Sequence, residues 1–226
     1  MKKIFLTIAA VVAMAVCAQA QIKVGGTLGL NLANQVRSNG SQSETGDSKA
    51  GLKLGVLGEY QINDYLSAQA GLVFSQKGVA SKESDSYPNY TLESEEKTTL
   101  NYLQIPINAV GRYKINDDIT VSALAGPYLA FALSGKEVWE SSGTVDGQPD
   151  PSVSESGDAK IKFGSDRNQW NGFDFGLTLG AGVEYKGVFL RLEYDWGLSN
   201  LLNDSGDISQ KNRNFGISAG YFFSLK

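Results

Sequence analysis

The chain has 226 residues, 42% of them hydrophobic, with 20 basic against 24 acidic side chains, no histidine and one cysteine. That length suits one domain, and the mildly acidic balance offers no basic footprint for nucleic acid. Without histidine the commonest general base is missing, together with every Ser-His or Asp-His arrangement.

Met1, Lys2 and Lys3 precede an apolar run from Ile4 to Val16, and Ala18-Gln19-Ala20 follows as a small-x-small site. This is the layout of a secretory signal peptide, and the run is shorter than the roughly 20 residues a spanning helix needs. The expected organisation is therefore a signal peptide over 1–20 and one domain over 21–226. Cleavage after Ala20 would remove Cys17 and leave a mature chain without disulfides.

From Ile22 onward the hydropathy alternates with a period of two, the mark of strands with one apolar face. Eight strands are predicted, at about Ile22 to Asn34, Gly51 to Ile62, Tyr65 to Lys77, Leu100 to Ile115, Ile119 to Leu133, Trp170 to Tyr185, Val188 to Leu198 and Asn214 to Leu225. Asn63-Asp64, Asn116 to Asp118 and Lys186-Gly187 read as tight hairpin turns. Between them lie four long polar stretches, Gln35 to Ala50, Gly78 to Thr99, Ser134 to Gln169 and Ser199 to Arg213. Long and short connections alternate strictly, so each kind emerges at its own end. That is the pattern of an all-β, eight-stranded antiparallel transmembrane β-barrel with short periplasmic turns and four long extracellular loops.

Parity alone leaves two readings open, because a soluble exported lipocalin-like barrel has the same alternation with the apolar face inward. Three features favour the membrane. Small residues such as Gly176, Gly180, Gly182 and Gly220 sit on the polar face, where eight strands leave an interior only wide enough for side chains. The same face carries both charge signs, Lys23, Lys53, Arg112, Lys114 and Arg191 against Glu59, Asp174, Glu184, Glu193 and Asp195, a set able to pair inside a lumen. The apolar face ends in aromatics at both rims: Tyr60, Tyr113 and Tyr185 beside the short turns, and Phe74, Phe131, Phe173, Trp196 and Phe215 toward the long loops. Such girdles belong at membrane interfaces. Tyr65 and Tyr102 fall on the polar parity, and Pro106 and Pro127 stand within strands, where bulges are expected because proline lacks a ladder donor.

YLQIPINAVGRYKI at 102–115, AGPYLAFALSG at 125–135 and the final FGISAGYFFSLK resemble the PorT-like outer-membrane β-barrel family, similar in shape to OmpX and the OmpA membrane domain. The resemblance implies an eight-stranded barrel in the bacterial outer membrane and no shared reaction.

No residue is assigned a catalytic, cofactor-binding or metal-binding role, and no cofactor is expected. A general diffusion pore is not expected either, since aqueous channels belong to barrels of about 16 to 18 strands. What remains is a monomeric barrel embedded in outer-membrane lipid, with loops that meet a protein partner in adhesion, envelope assembly or secretion. The alternative is a carrier of a small or apolar ligand at the barrel mouth. Trp139, in the longest polar stretch, is the candidate loop contact, because Trp is enriched at binding hot spots.

Overall fold

The computed structural model describes residues 22–146, 148–166, 169–203 and 206–225. The expected signal segment, 1–20, lies outside them. Among the described residues there are ten strands: β1 (Ile22–Asn39), β2 (Gln42–Thr45), β3 (Lys49–Gln61), β4 (Leu66–Tyr87), β5 (Tyr90–Lys114), β6 (Ile119–Val145), β7 (Gln148–Lys160), β8 (Phe173–Tyr185), β9 (Val188–Gly197) and β10 (Ile208–Leu225).

Eight of these form the wall. Each pairs antiparallel with its sequence neighbour in the wall, in the order β10-β9-β8-β6-β5-β4-β3-β1. The ring closes where β1 meets β10 in unbroken register from Ile22↔Leu225 to Asn39↔Ile208. Closure leaves no sheet edge in the bilayer, which is the condition for strands to cross it. Both strand termini stand at the short-turn end.

The turns there are built from local chemistry. Lys186 and Gly187 have φ of 50° and 87°, the two positive values that a type I′ hairpin needs to follow the strand twist. Asn63 Oδ1 accepts from the Tyr65 amide at 2.9 Å, and Asn116 Oδ1 accepts from Asp118 and Ile119 at 2.9 and 2.8 Å. Each is an Asx turn.

The alternation resolves with the apolar parity outward. Leu179 is 59% exposed on the outer wall, whereas Arg191 is 4% exposed in the lumen. The soluble, apolar-core arrangement is thereby excluded. Tyr60, Tyr113 and Tyr185 ring the outside at the short-turn end, with Phe131, Phe173, Trp196 and Phe215 toward the other rim. Tyr65 joins the short-turn rim as an exposed side chain.

Two expectations are corrected. The long stretches are largely strand rather than loop: β4 and β5 stay paired to Tyr87↔Tyr90, β5 and β6 from there to Val145, and β7 turns back along β6. Outside the bilayer both faces of a strand meet water, so the apolar alternation vanishes while Thr, Val and Tyr still favour extended backbone. The prolines, for their part, cause no bulge. Pro106 pairs with Tyr128 and Pro127 with Leu177 in the register of their neighbours. The β5–β6 ladder shifts instead between Asn101 and Tyr102.

Candidate functional site: a sealed lumen beneath an acidic vestibule

The inward parity stacks its side chains in layers. At the short-turn end Lys23 Nζ donates to Glu184 at 2.7 Å, and Arg112 bridges Glu184 at 2.9 Å and Glu59. Arg191 reaches Glu59 at 3.8 Å, donates to Gln69 Oε1 at 2.7 Å, and lies over the paired rings of Phe189 and Phe222. Higher up, Lys53 Nζ donates to Glu193 at 2.5 Å. Asp195 then accepts from Thr178 at 2.7 Å, Gln104 at 3.2 Å and Asn214 at 3.3 Å. Charges taken this far from water are tolerable only when paired and hydrogen-bonded, and each of these is.

The top layer centres on Lys77, a residue that the charge inventory of the sequence left out. Its ammonium stands 3.5 Å from Asp174, 3.9 Å from Asp195 and 4.2 Å from the centre of the Tyr128 ring. Tyr102 closes the other side at 5.6 Å. Asp174 also accepts from Tyr128 at 3.2 Å, Asn212 at 2.9 Å and Ser199 at 2.6 Å. The inward tyrosine that broke parity therefore walls a buried cation. Gly176 makes room for this layer, since a Cβ there would come within 2.8 Å of the Tyr128 ring.

Nine of the ten charges proposed from sequence thus meet in the lumen. Lys114 does not: it is the last residue of β5, exposed beside the short turn, where water solvates it. At the middle of the barrel the residual cavity is about 10 Å³, lined by Lys53, Gln104, Arg191 and Asp195 among others. That holds about one water molecule.

Above Lys77 the barrel is capped. Leu100, Leu201, Tyr102 and Tyr128 form an apolar cluster, with Ile161, Phe163 and Trp170 from the connections folded onto it. Asn203 ties the cap together by donating to the carbonyls of Gly164 and Gln169 at 2.6 and 3.0 Å.

Over this cap the extended strands enclose a vestibule of about 450 Å³. Gln35 and Arg37 of β1, Glu44 of β2 and Gln210 of β10 form one side. Ser81 and Glu83 of β4, Glu96 and Thr98 of β5 and Glu137 of β6 form the other, with Trp170 and Leu202 on the floor. Burial and the nearby Glu96 carboxylate hold the Glu137 carboxyl above the usual glutamate range. Trp139 pairs across the ladder with Glu96 and Gly157. Its ring lies over Gly157, where a Cβ would approach to 2.4 Å.

A profile of the outer membrane protein β-barrel domain matches residues 17–203. The chain belongs to this outer-membrane β-barrel family. Its place is the bacterial outer membrane, and the apolar band is the face that lipid covers. No curated protein matches the chain in sequence. Among solved structures it is similar to the attachment invasion locus protein Ail of Yersinia pestis, at 16% identity over 90% of this chain and 99% of that one, TM-score 0.39. Neisserial surface protein A is similar at 15% identity over 90% and 97%, TM-score 0.36. The N-terminal β-barrel domain of Pseudomonas aeruginosa OprF is similar at 10% identity over 91% and 100%, TM-score 0.31.

Proposed function

We propose that this protein is a membrane-anchored surface binder whose working part is the extracellular strand crown and its vestibule, and that it conducts nothing through the barrel. One observation carries the reading: the lumen is filled by ion pairs and capped, while the wall continues beyond it. From Leu100 to Tyr90, β5 adds about 34 Å at 3.4 Å per residue. Extending strands that far outside the membrane, over a closed barrel, positions a surface and not a passage. Rigid scaffolds commonly carry binding groups in this way.

Within the outer-membrane family, the Tyr102–Ile115 and Ala125–Gly135 segments support a PorT-like affiliation. An accessory role in secretion or envelope assembly is consistent with that affiliation, as is adhesion. The vestibule supports the mouth-carrier alternative only for a polar ligand, because polar and charged side chains predominate in its lining.

Site-specific photo-crosslinking on intact cells tests the reading. A crosslinker at position 139 should give discrete adducts with a neighbouring molecule, and one at 114 should not give the same adducts. Failure of position 139 and of further positions around the vestibule to give any adduct would overturn it.

A further inference from the structure

The crown sorts its charges by face. Opposite pairs across β4, β5 and β6 share a side of the sheet, so Thr98↔Glu137 and Ser81↔Glu96 lie on the vestibule side. The lysines of the same strands turn the other way. Lys82 and Lys97 hold Glu95 at 3.2 and 2.9 Å, and Lys136 holds Asp158 at 3.4 Å. Among the described residues, Glu83, Glu96 and Glu137 have neither an ion pair nor a side-chain hydrogen bond. On the outer wall the lysines are paired with carboxylates, whereas the vestibule lining sets Glu44, Glu83, Glu96 and Glu137 against the single cation Arg37 and so keeps an excess of negative charge.

A second observation is independent of charge. Thr98 is only 4% exposed, lines the same cavity, and its hydroxyl has no protein partner among the described residues. The oxygen is not among the sealed, unpartnered atoms of the barrel, so what exposure it keeps opens onto the cavity and leaves it available to a group held there.

The cavity also limits what that something is. Among the described residues no three ligating side chains come close enough to hold one metal ion, so the negative charge is spread and not convergent. A ligand that matches it has its positive charges spread as well. The volume lies in the range of small-ligand sites, and Trp170 puts an aromatic side chain in the cavity lining, a residue type that attracts alkylammonium groups.

We propose that the vestibule binds an organic polycation, a ligand bearing two or more ammonium groups, through Glu83, Glu96 and Glu137, with the Thr98 hydroxyl as acceptor for one ammonium and Trp170 beneath. The proposal deepens the surface-binder reading and rests on it.

Isothermal titration of the full-length folded protein in detergent, at about 0.15 M salt to screen diffuse attraction, provides the test. The probes are spermidine, trilysine and magnesium. Saturable one-site binding of spermidine or trilysine is expected, the tighter of the two marking a free polyamine or a basic peptide as the source. Glu83→Gln/Glu96→Gln/Glu137→Gln should weaken it by at least about tenfold, the loss of one to two charge-assisted contacts. Glu93→Gln/Glu140→Gln/Asp158→Asn removes the same charge from the outer wall and should leave affinity within about twofold, as rim charges contribute little. Thr98→Val should cost about threefold to tenfold. Heat-modifiable gel mobility verifies that each variant is folded.

The proposal is overturned if neither organic probe saturates, if magnesium binds equally well, or if inner and outer variants lose affinity alike. Unchanged affinity in Thr98→Val would overturn the role given to that hydroxyl. Crosslinking at position 139 is read separately, so a failed titration with intact crosslinking would reject the polycation and leave the surface-binder reading standing.

Discussion

At the scale of single residues, the lumen is a chain of dependencies in which Lys77 and Arg112 each serve two carboxylates. Arg112 is the clearest case, because its guanidinium holds Glu59 and Glu184 together. Arg112→Met should destabilise the barrel by about 3–5 kcal/mol, the usual cost of stranding buried charge by deleting its partner. Urea-dependent refolding in lipid vesicles measures it, and a change under about 1 kcal/mol would mean that the network is not a stabilising unit. On the outside, Leu179→Arg should cost roughly 2–4 kcal/mol if it lies near the bilayer midplane. Glu137 adds a pH dependence to the vestibule. Its carboxyl is held above the glutamate range by burial and by Glu96, while Glu83, Glu44 and Arg37 are the other charged groups lining the cavity. Cation binding needs the ionised carboxylate, so it should be full near neutral pH, where the ammonium groups also stay protonated, and fade as pH falls through that raised value. Spermidine affinity across pH 4–8 should therefore drop at a higher pH than in Glu137→Gln, which lacks this step. Most of the lumen network was legible from strand parity. Lys77 and Tyr102 were not, because the meaning of an inward tyrosine depends on the cation that it covers, and that cation lies on another strand.

At the scale of elements, the membrane part of each strand announces itself and the extracellular part does not. A strand in lipid must be apolar on one side and polar on the other, so Leu177, Leu179 and Ala181 alternate with Thr178 and Gly180. Past the outer girdle the solvent is water on both faces. Glu93, Glu95 and Lys97 then alternate with Ser94, Glu96 and Thr98, and the hydropathy contrast is gone although the ladder continues. The crown is therefore invisible to a reading based on alternation. Amide hydrogen exchange should show protection on β5 between Leu92 and Thr98; exchange at free-loop rates there would argue against paired strands. Excising most of the long polar stretch, Lys136 to Asn168, would also remove Ile161 and Phe163, which pack against the cap. A shorter cut suits the structure better. Among the described residues β7 pairs only with β6, and loop closure entropy depends weakly on length. Replacing Val138 to Ala159 with a short Gly/Ser turn should leave a folded, heat-modifiable barrel that has lost crosslinks from this side of the crown. Retention of the same adducts from β4 and β5 positions would place the binding surface away from the β6–β7 hairpin.

At the scale of the whole molecule, one outer-membrane chain carries a lipid-facing band, a filled lumen and a crown richer in acidic than in basic groups. Export is expected to remove residues 1–20, so the intact mass of protein purified from outer membranes should match a chain beginning at Gln21. A retained leader, or lipid at Cys17, would defeat that expectation. The proposed function requires a sealed barrel whose binding surface lies above the cap. Recording from the purified protein in planar bilayers tests this most directly. The ion-paired layers, the Lys77 cage and the apolar cap predict no large, steady conductance at moderate voltage, whereas stable porin-sized openings from a clean preparation would contradict it.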